Sequence, residues 1–318
     1  MTNPFAELYE VPVAGGRMLV ARAGPPPGEA AAVVLAVHGI SASHMAWRAV
    51  ARRLVDDERD VCVLAPDLRG RAGSGGLPGP YGMTTHVADL LAVLDDAAVP
   101  SAILAGHSMG GYVVARLAAE HPERAAAVVL VDGGLPLERQ EIDDVDAAVD
   151  RVVGPALQRL GVTFATAGDY LQRWRDHPAL AGAWDDDVEA WVSDDLEGAG
   201  DADRPDAVRS ATSAEAVYAD GRALLLDDDT INAVDRVRAP LWLLRARRGM
   251  VGDEHALIPA PTLAAFAAAH PDAHVEDVAD VNHYTLLIGP AGSARVASAI
   301  HAAPGAYDDA RAATSETS

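Results

Sequence analysis

Short apolar segments alternate along this chain with segments of helical periodicity, and this alternation constrains the fold more than any other feature. Such a pattern is typical of a mainly parallel sheet covered by helices. The run Val33–Val37 is apolar throughout, as expected of a strand buried on both faces. Eight strands are predicted, the first two forming an antiparallel edge: Leu8–Val13, Met18–Arg22, Val33–Val37, Val61–Ala65, Ala102–Ala105, Val128–Val131, Leu241–Leu244 and His274–Val278.

Helical periodicity separates these strands and changes character in the middle of the chain. Between Leu135 and Asp229, acidic clusters alternate with aromatic residues at helix-like intervals, which predicts a helical insertion between two strands. The acidic runs are expected to be solvated helix faces and turns. Outside this segment, helices are predicted at His44–Val55, Thr84–Ala97, Met109–Glu120, Pro261–Ala269 and Ala291–Ala302.

These elements divide the chain into three parts. Residues 1–134 and 230–303 are expected to form an α/β core, and residues 135–229 a helical cap or lid. The last segment, 304–318, is rich in Ala, Ser, Thr and Asp, and is predicted to be a disordered tail.

Composition excludes several functional classes. The 25 Lys+Arg and 47 Asp+Glu residues give a formal net charge of −22, which argues against nucleic-acid binding and against anionic membranes. Every basic residue is Arg, so a lysine Schiff base, and with it a covalently held pyridoxal phosphate, is excluded. Cys62 is the single cysteine, which excludes an intrachain disulfide and a cysteine metal cluster.

Sequence signals for export or membrane insertion are not expected in this chain. The start of the chain has no basic segment followed by an apolar run, and no apolar stretch reaches membrane-spanning length. We therefore expect a soluble, cytoplasmic protein. As to oligomeric state, a monomer or a homodimer is expected.

The segment Gly106–Gly110 places a serine in the pattern G-x-S-x-G between a predicted strand and a predicted helix. Such a tight turn forces the serine into strained backbone geometry, and the flanking glycines let neighbouring segments pass closely. The hydroxyl of Ser108 then projects from the turn, while the backbone N–H of Met109 points to where an oxyanion would form. The strand–turn–helix context indicates a nucleophile rather than a simple glycine-rich turn.

With these residues, the chain resembles the α/β-hydrolase family over nearly its whole length. The segment His38–Ile40 follows the third strand, so the resemblance implies that the backbone N–H of Ile40 is a second oxyanion donor beside Met109. Asp67–Ser74 is similar to the family's D-x-R-G-x-G-x-S loop, which is expected to shape a turn without doing chemistry. The implied fold is the α/β-hydrolase fold: an eight-stranded, mostly parallel sheet flanked by helices, with a helical cap insertion.

A serine hydroxyl needs a neighbouring base, which is usually histidine. His283 lies between the last predicted strand and the last helix, where the family carries its base. His107 is expected to pack beneath the turn and His38 to hydrogen-bond its own loop. The other histidines, among them His44 and His86, are expected at the surface or in capping roles. No histidine pair has zinc-ligand spacing such as H-E-x-x-H, so neither a metal nor a cofactor is predicted.

Two positions compete for the carboxylate that orients the imidazole. In many family members the acid follows the seventh strand, but counting places Gly249 there, and Asp253 would serve only if the loop were longer or folded back. The other position follows the sixth strand, at Asp132, where some dehalogenases, lactonases and thioesterases of similar fold carry their acid. We favour Asp132 and keep Asp253 as the alternative.

The predicted function is hydrolysis of a small-molecule carboxylic ester or lactone through an acyl-enzyme. Serine at the turn argues against haloalkane dehalogenase and epoxide hydrolase chemistry, which use an aspartate nucleophile in this fold. The alternatives are a thioesterase or C–C bond hydrolase of the same fold and, from another class, a non-catalytic ligand-binding or receptor protein. The candidate substrate-binding residues lie in the insertion: Tyr170, Trp174, Trp184 and Trp191.

Overall fold

The computed structural model describes residues 2–56, 60–137, 144–200 and 203–303. Eight strands form one sheet, and each of the eight predicted strands is confirmed. The remaining two strands, the seventh and eighth along the chain, pair with each other in a separate small sheet. In chain order the strands are β1 (Phe5–Val13), β2 (Gly16–Ala23), β3 (Ala32–Val37), β4 (Val61–Pro66), β5 (Ala102–His107), β6 (Ala125–Val131), β7 (Leu196–Gly198), β8 (Val208–Ser210), β9 (Leu241–Arg248) and β10 (His274–Asn282).

The order across the large sheet is β1-β2-β4-β3-β5-β6-β9-β10. The predicted antiparallel edge is present, because β1 pairs antiparallel with β2 and β2 pairs antiparallel with β4. All other neighbours are parallel. Parallel neighbours need crossover connections, and these bring the carboxyl ends of β3, β5, β6 and β10 to one edge of the sheet.

Helices cover both faces of this sheet. The helices predicted outside the insertion are confirmed. In the first of them, predicted at His44–Val55, the first turn, His44–Trp47, is 3₁₀-helical. None of the helices in the described ranges has the length and apolar character needed to cross a membrane. They are α1 (Arg48–Val55), α2 (Met83–Asp96), α3 (Met109–Glu120), α4 (Val145–Leu160), α5 (Ala167–Arg175), α6 (Asp186–Asp194), α7 (Ala214–Leu226), α8 (Asp228–Ile231), α9 (Ala260–Ala269), α10 (Thr285–Ile288) and α11 (Pro290–Ala302).

Alternation along the strands divides the core into two layers. Val34 of β3 packs in the layer that contains residues of α1 and α11. Its neighbour Leu35 packs in the opposite layer, with residues of α2 and α3. Both side chains are fully buried, as predicted for a continuously apolar strand. The sheet is therefore buried between two helical layers, and the loops at its carboxyl edge project from it.

The segment between β6 and β9 contains α4 to α8 and is largely helical. It also holds the antiparallel pair β7 and β8, which the sequence did not predict, because three-residue strands are too short to show alternation. A separate apolar cluster of Val149, Val153 and Val217 joins α4 to α7. The predicted tail, residues 304–318, lies outside the described residues.

The acidic runs of the insertion are only partly solvated. Asp185 caps α6 by accepting hydrogen bonds from the backbone N–H groups of Asp187 and Val188. Asp187, by contrast, is buried and accepts two 2.6 Å hydrogen bonds from Arg52 of α1. The expectation of a purely solvated face is thus wrong here, because a carboxylate that meets a guanidinium can be buried.

Candidate active site

Ser108 occupies a strained turn between β5 and α3. Its φ of 56° and ψ of −123° lie in a region that non-glycine residues seldom adopt. The flanking glycines make this turn possible. A Cβ on Gly106 would lie 2.2 Å from the carbonyl oxygen of Gly110, and a Cβ on Gly110 would lie 2.2 Å from that of Val37. The strand, turn and helix therefore pack backbone against backbone around the serine.

His283 and Asp132 form a buried pair at the carboxyl edge of the sheet. The Nδ1 atom of His283 lies 2.7 Å from Oδ2 of Asp132, and Oδ1 of Asp132 accepts a 3.0 Å hydrogen bond from the backbone N–H of Ala246. Since a carboxylate only accepts, Nδ1 of His283 carries the proton. In the neutral ring, Nε2 is then left as the acceptor, which is the state that a general base requires.

The competing carboxylate, Asp253, lies elsewhere. Its Oδ2 is 2.8 Å from Nδ1 of the exposed His255, and this hydrogen bond lowers the pKa of the Asp253 carboxyl. Asp132 is fully buried, whereas the side chain of Asp253 is 41% exposed. The structure thus brings Asp132, and not Asp253, to the imidazole of His283.

Ser108 and His283 line the same pocket, which contains about 480 Å³ of space between atoms, part of it open to solvent. Among the described residues no Asp, Glu or Arg side chain belongs to its lining. Tyr284, beside the candidate base, also lines the pocket. This residue was not among those predicted from the sequence, although its position next to His283 was a usable signal. The apolar wall includes Ile40, Ala46, Trp174, Trp191, Leu287 and Ile288.

Two of the four predicted aromatic residues contribute to this wall. Trp174 of α5 and Trp191 of α6 pack edge to face, with ring centroids 5.2 Å apart. Tyr170 and Trp184 do not belong to the pocket lining. For these two residues the predicted position in a substrate pocket is corrected by the structure.

Tyr170 and Trp184 instead serve the packing of the insertion itself. Tyr170 is fully buried, and its hydroxyl donates to Asp195 and accepts a 2.8 Å hydrogen bond from Arg159. Trp184 donates from Nε1 to Glu189 at 3.1 Å. A stripe of aromatic residues at helical spacing therefore does not identify which side chains turn toward a ligand.

The loop after β3 passes directly beside the serine. A Cβ on Gly39 would lie 3.2 Å from Cβ and 3.6 Å from Oγ of Ser108, and Ile40 lines the pocket with it. On the other side of the serine, Met109 is the first residue of α3. The first amide groups of a helix have no partner within the helix, and its N-terminus favours negative charge. Both predicted oxyanion donors thus lie in segments that border Ser108.

His38 holds this loop in place. Its Nε2 accepts a 2.9 Å hydrogen bond from the backbone N–H of Leu68, and its Nδ1 donates to the carbonyl oxygen of Gly39 at 2.7 Å. Burial lowers the pKa of His38 to about 4. The ring is therefore neutral near pH 7, with one donor and one acceptor nitrogen, as this arrangement requires.

His107 contacts the candidate base, His283, through a hydrogen bond and through its ring. Its Nε2 donates to the carbonyl oxygen of His283 at 2.9 Å, and the two rings lie 4.6 Å apart between centroids. Burial, together with the nearby His283, lowers the pKa of His107 well below its usual value. The ring of His107 is therefore neutral near pH 7.

His44, Asp67 and Asp194 bring three ligand-type atoms within 4.8 Å of one another. Hydrogen bonds within the protein already engage Asp67, whose Oδ1 lies 2.9 Å from Nδ1 of His44 and whose Oδ2 accepts from the N–H of Gly73. Burial would lower the pKa of His44, but Asp67 raises it. The expected surface or capping role of His44 is wrong: the ring is buried and pairs with the loop after β4.

Comparison with known proteins agrees with this architecture. A family model of the alpha/beta hydrolase fold matches residues 32–160. The lipase LipV of Mycobacterium tuberculosis is 32% identical over 112 residues, which cover 35% of this chain and 41% of the lipase. The curated relatives are matched over only about two fifths of their own length.

Solved structures match over nearly the whole chain. An E-2-(acetamidomethylene)succinate hydrolase superposes with a TM-score of 0.73 at 20% identity, covering 93% of this chain and 98% of that one. A thioesterase domain from the curacin biosynthetic pathway superposes with a TM-score of 0.72 at 19% identity, covering 93% and 99%. Identity at this level shows the fold alone. The chain is a protein of the α/β-hydrolase fold.

Proposed function

We propose that this chain is a serine hydrolase that cleaves a carboxylic ester or a lactone through an acyl-enzyme intermediate. The observation that carries the proposal is the 2.7 Å contact between Nδ1 of His283 and Oδ2 of Asp132, in a pocket that His283 shares with the strained Ser108. A carboxylate, an imidazole and a serine hydroxyl are the three groups that nucleophilic acyl transfer requires.

In the proposed first step, Oγ of Ser108 attacks the carbonyl carbon while Nε2 of His283 takes the hydroxyl proton. Asp132 stabilises the resulting imidazolium, and the backbone N–H groups of Ile40 and Met109 bind the oxyanion. His283 then gives the proton to the leaving alkoxide, and the acyl–Ser108 ester remains. Water, deprotonated by His283, attacks this ester and releases the carboxylic acid and the free serine.

The pocket wall supports an uncharged, partly apolar acyl group as the substrate moiety. Among the residues that the structure describes, its lining carries no Arg that would pair with a second carboxylate, and the tryptophans Trp174 and Trp191 supply apolar contact area. The names of two compared proteins, a lipase and a thioesterase, are in keeping with acyl chemistry. We therefore assign small and medium neutral esters or lactones as the substrate class.

We further propose that the insertion, residues 135–229, acts as a cap on a core of residues 1–134 and 230–303. Trp174 and Trp191 reach the pocket from α5 and α6, so the insertion supplies part of the substrate surface. The buried contact of Asp187 with Arg52 fastens α6 to α1 of the core. Changes in α5 and α6 are then expected to alter substrate choice without removing the chemistry.

The experiment that tests this function is hydrolysis of matched p-nitrophenyl esters, acyl thioesters and lactones by the wild type and by Ser108→Ala. We expect wild-type turnover to fall by about 10⁶ in the variant, since nucleophile and base act as a unit. Ser101→Ala is the matched control, because this exposed serine lies at the opposite end of β5. It should keep wild-type rates.

The same panel separates the alternatives. A preference for thioesters would identify a thioesterase, and turnover restricted to carbon–carbon substrates, tested with a vinylogous diketone, would identify a C–C bond hydrolase. Binding of apolar esters without turnover of any class, equal in the wild type and in Ser108→Ala, would contradict the hydrolase and leave a ligand-binding protein.

A further inference from the structure

A fully buried ion pair joins the insertion to the loop after β4. Nη2 of Arg71 lies 2.6 Å from Oδ2 of Asp220, and both side chains are 0% exposed. His86 of α2 approaches the same oxygen, with Nε2 at 2.9 Å. The surface or capping role expected for His86 is therefore wrong, because its ring is buried. Arg71 belongs to the loop Asp67–Ser74 and Asp220 to α7.

The charge of this pair is maintained inside the protein. Burial by itself would raise the pKa of the Asp220 carboxyl, but Arg71 and His86 lower it to about 2. The carboxylate is therefore ionised near pH 7, opposite a permanently charged guanidinium. A buried pair of this kind is weak support for stability, because the loss of hydration offsets the attraction between the charges. Its presence therefore needs a physical explanation other than stability.

The guanidinium group of Arg71, which contacts Asp220, also contacts the candidate oxyanion loop. Its Nε donates a 2.9 Å hydrogen bond to the carbonyl oxygen of Ile40, and its Nη1 donates a 2.8 Å hydrogen bond to that of Arg69. Because the guanidinium group of arginine is planar and its N–H groups point in fixed directions, the position of one hydrogen-bond partner constrains the positions of the others. One guanidinium group thus contacts both Asp220 and the carbonyl group of Ile40.

A second set of contacts links α7 to the same two loops. The backbone N–H of Ser213, just before α7, donates to the carbonyl oxygen of Gly70 at 2.8 Å. Gly70 has a φ of +79°, and a Cβ there would lie 2.6 Å from Cβ of Ala216 on α7. The side chain of Ile40 packs against the apolar cluster that joins α4 and α7. Ile40 therefore contacts the insertion through its side chain, and its backbone carbonyl group is linked to the insertion by way of Arg71.

We propose that Asp220 and Arg71 are positioning residues for the hydrolytic reaction: Asp220 orients Arg71, whose Nε–H fixes Ile40 and thereby the oxyanion donor in its loop. This inference rests on the proposed function. It means that the insertion shapes the transition-state site as well as the substrate surface. Neither residue belongs to the pocket lining, so each acts through Ile40.

The test compares Asp220→Asn with a matched variant, Asp89→Asn. Asp89 is equally buried and accepts 2.7 and 2.9 Å hydrogen bonds from Arg69 of the same loop, but the other partners of that guanidinium are the carbonyl groups of Ala14 and Pro78, far in sequence from Ile40. Arg71→Lys is the second test variant, because it keeps the charge and loses the planar fork. If Asp220→Asn fails to fold, Arg71→Lys decides the question.

Two readouts distinguish positioning from stability alone. The first is kcat for a p-nitrophenyl ester, divided by the fraction of sites that a p-nitrophenyl phosphonate titrates. The second is the ratio of inhibition constants for an alkyl trifluoromethyl ketone, which forms an oxyanion on the serine, and for the matching methyl ketone, which stays a neutral ligand. A merely structural role lowers the titrated fraction and leaves both readouts unchanged.

We expect Asp220→Asn and Arg71→Lys to lower kcat per titrated site by about tenfold, short of the roughly 10²–10³-fold loss that removal of an oxyanion donor causes. Binding of the trifluoromethyl ketone should weaken by a similar factor, with binding of the methyl ketone unchanged. Asp89→Asn should match the wild type in both. Wild-type values in the test variants, or equal losses in Asp89→Asn, would overturn the inference and leave the hydrolase intact. A wild type that the phosphonate does not titrate would overturn both.

Discussion

Nδ1 of His283 lies 2.7 Å from Oδ2 of Asp132, although 151 residues separate them. The sheet topology brings them together, because Asp132 follows β6 and His283 follows β10, with β9 between these two strands. The intervening strand takes part: the backbone N–H of Ala246 on β9 donates to Oδ1 of Asp132. Three neighbouring strand ends thus fix one imidazole, and its proton is held at Nδ1.

Replacing Asp132 by Asn tests this arrangement. The amide would offer a donor to Nδ1 and favour the wrong imidazole tautomer, so kcat for a p-nitrophenyl ester should fall by roughly 10⁴-fold. Asp253→Asn is the matched control, because that carboxylate binds His255, and it should keep wild-type rates. The opposite order of effects would assign the acid to Asp253.

The acyl-chain preference tests the position of Trp191 in the pocket wall. Trp191→Leu removes part of this wall, so kcat/KM for the octanoate ester should rise relative to the butyrate ester by at least about fourfold, the factor that corresponds to about 0.8 kcal/mol for one newly buried CH₂. Trp184→Leu is the control, because Trp184 does not line the pocket. An unchanged ester ratio in Trp191→Leu would contradict the assignment of this wall to acyl binding.

Gly133 tests how closely the loop after β6 packs against the serine. A Cβ on Gly133 would lie 2.1 Å from the carbonyl oxygen of Ser108. We expect Gly133→Ala to lower the free energy of unfolding in urea by about 1–3 kcal/mol, as overpacking does, and to reduce ester hydrolysis per folded molecule. Gly28→Ala should do neither, because a Cβ there has no heavy atom within 4 Å. Full activity of Gly133→Ala would show that the serine turn tolerates displacement.

His38 gives the protein a defined pH dependence of stability. Its pKa is about 4 in the folded protein, against an ordinary value of 6.5. Between these values the unfolded chain binds more protons, so the free energy of unfolding falls as the pH falls from 6.5 toward 4. Only above the pKa that His38 has in the unfolded chain is the free energy of unfolding free of this loss.

Urea unfolding of the wild type and of His38→Asn measures this contribution. Between about pH 7 and pH 5, the free energy of unfolding of the wild type should fall by about 2 kcal/mol more than that of the variant. The other titratable groups are common to both proteins, so the difference belongs to His38. Parallel pH dependences would show that folding leaves the pKa of His38 unchanged, contrary to this account.

Much of the architecture was predictable because its signals are local. The apolar run Val33–Val37 predicts a strand buried on both faces, and the strand–glycine–serine–helix pattern around Ser108 predicts the strained turn. Both signals depend on neighbouring residues along the chain. The choice between Asp132 and Asp253 is different, because it depends on the length and path of the loop after β9, where spacing alone gives no geometry.

Contacts between residues far apart in the chain could not be predicted from the sequence. His86, Arg71 and Asp220 come from three elements, and no periodicity marks them as partners, so His86 was expected at the surface. Tyr170 and Trp184 share the helical spacing of Trp174, yet the face that a helix turns toward a pocket depends on how the whole insertion docks. These features depend on tertiary packing, which a local sequence pattern does not encode.

The most direct measurement of the central claim is the mass of the protein after reaction with a p-nitrophenyl alkylphosphonate, followed by peptide mapping. Phosphonates of this kind phosphonylate the activated serine of a hydrolase: a bond forms between the serine oxygen and phosphorus, and p-nitrophenolate leaves. We predict a single adduct on Ser108, strongly slowed in Asp132→Asn and missing in Ser108→Ala. An adduct on another residue, or an unreactive wild type that is folded by circular dichroism, would contradict the assignment of Ser108, His283 and Asp132 as the catalytic residues.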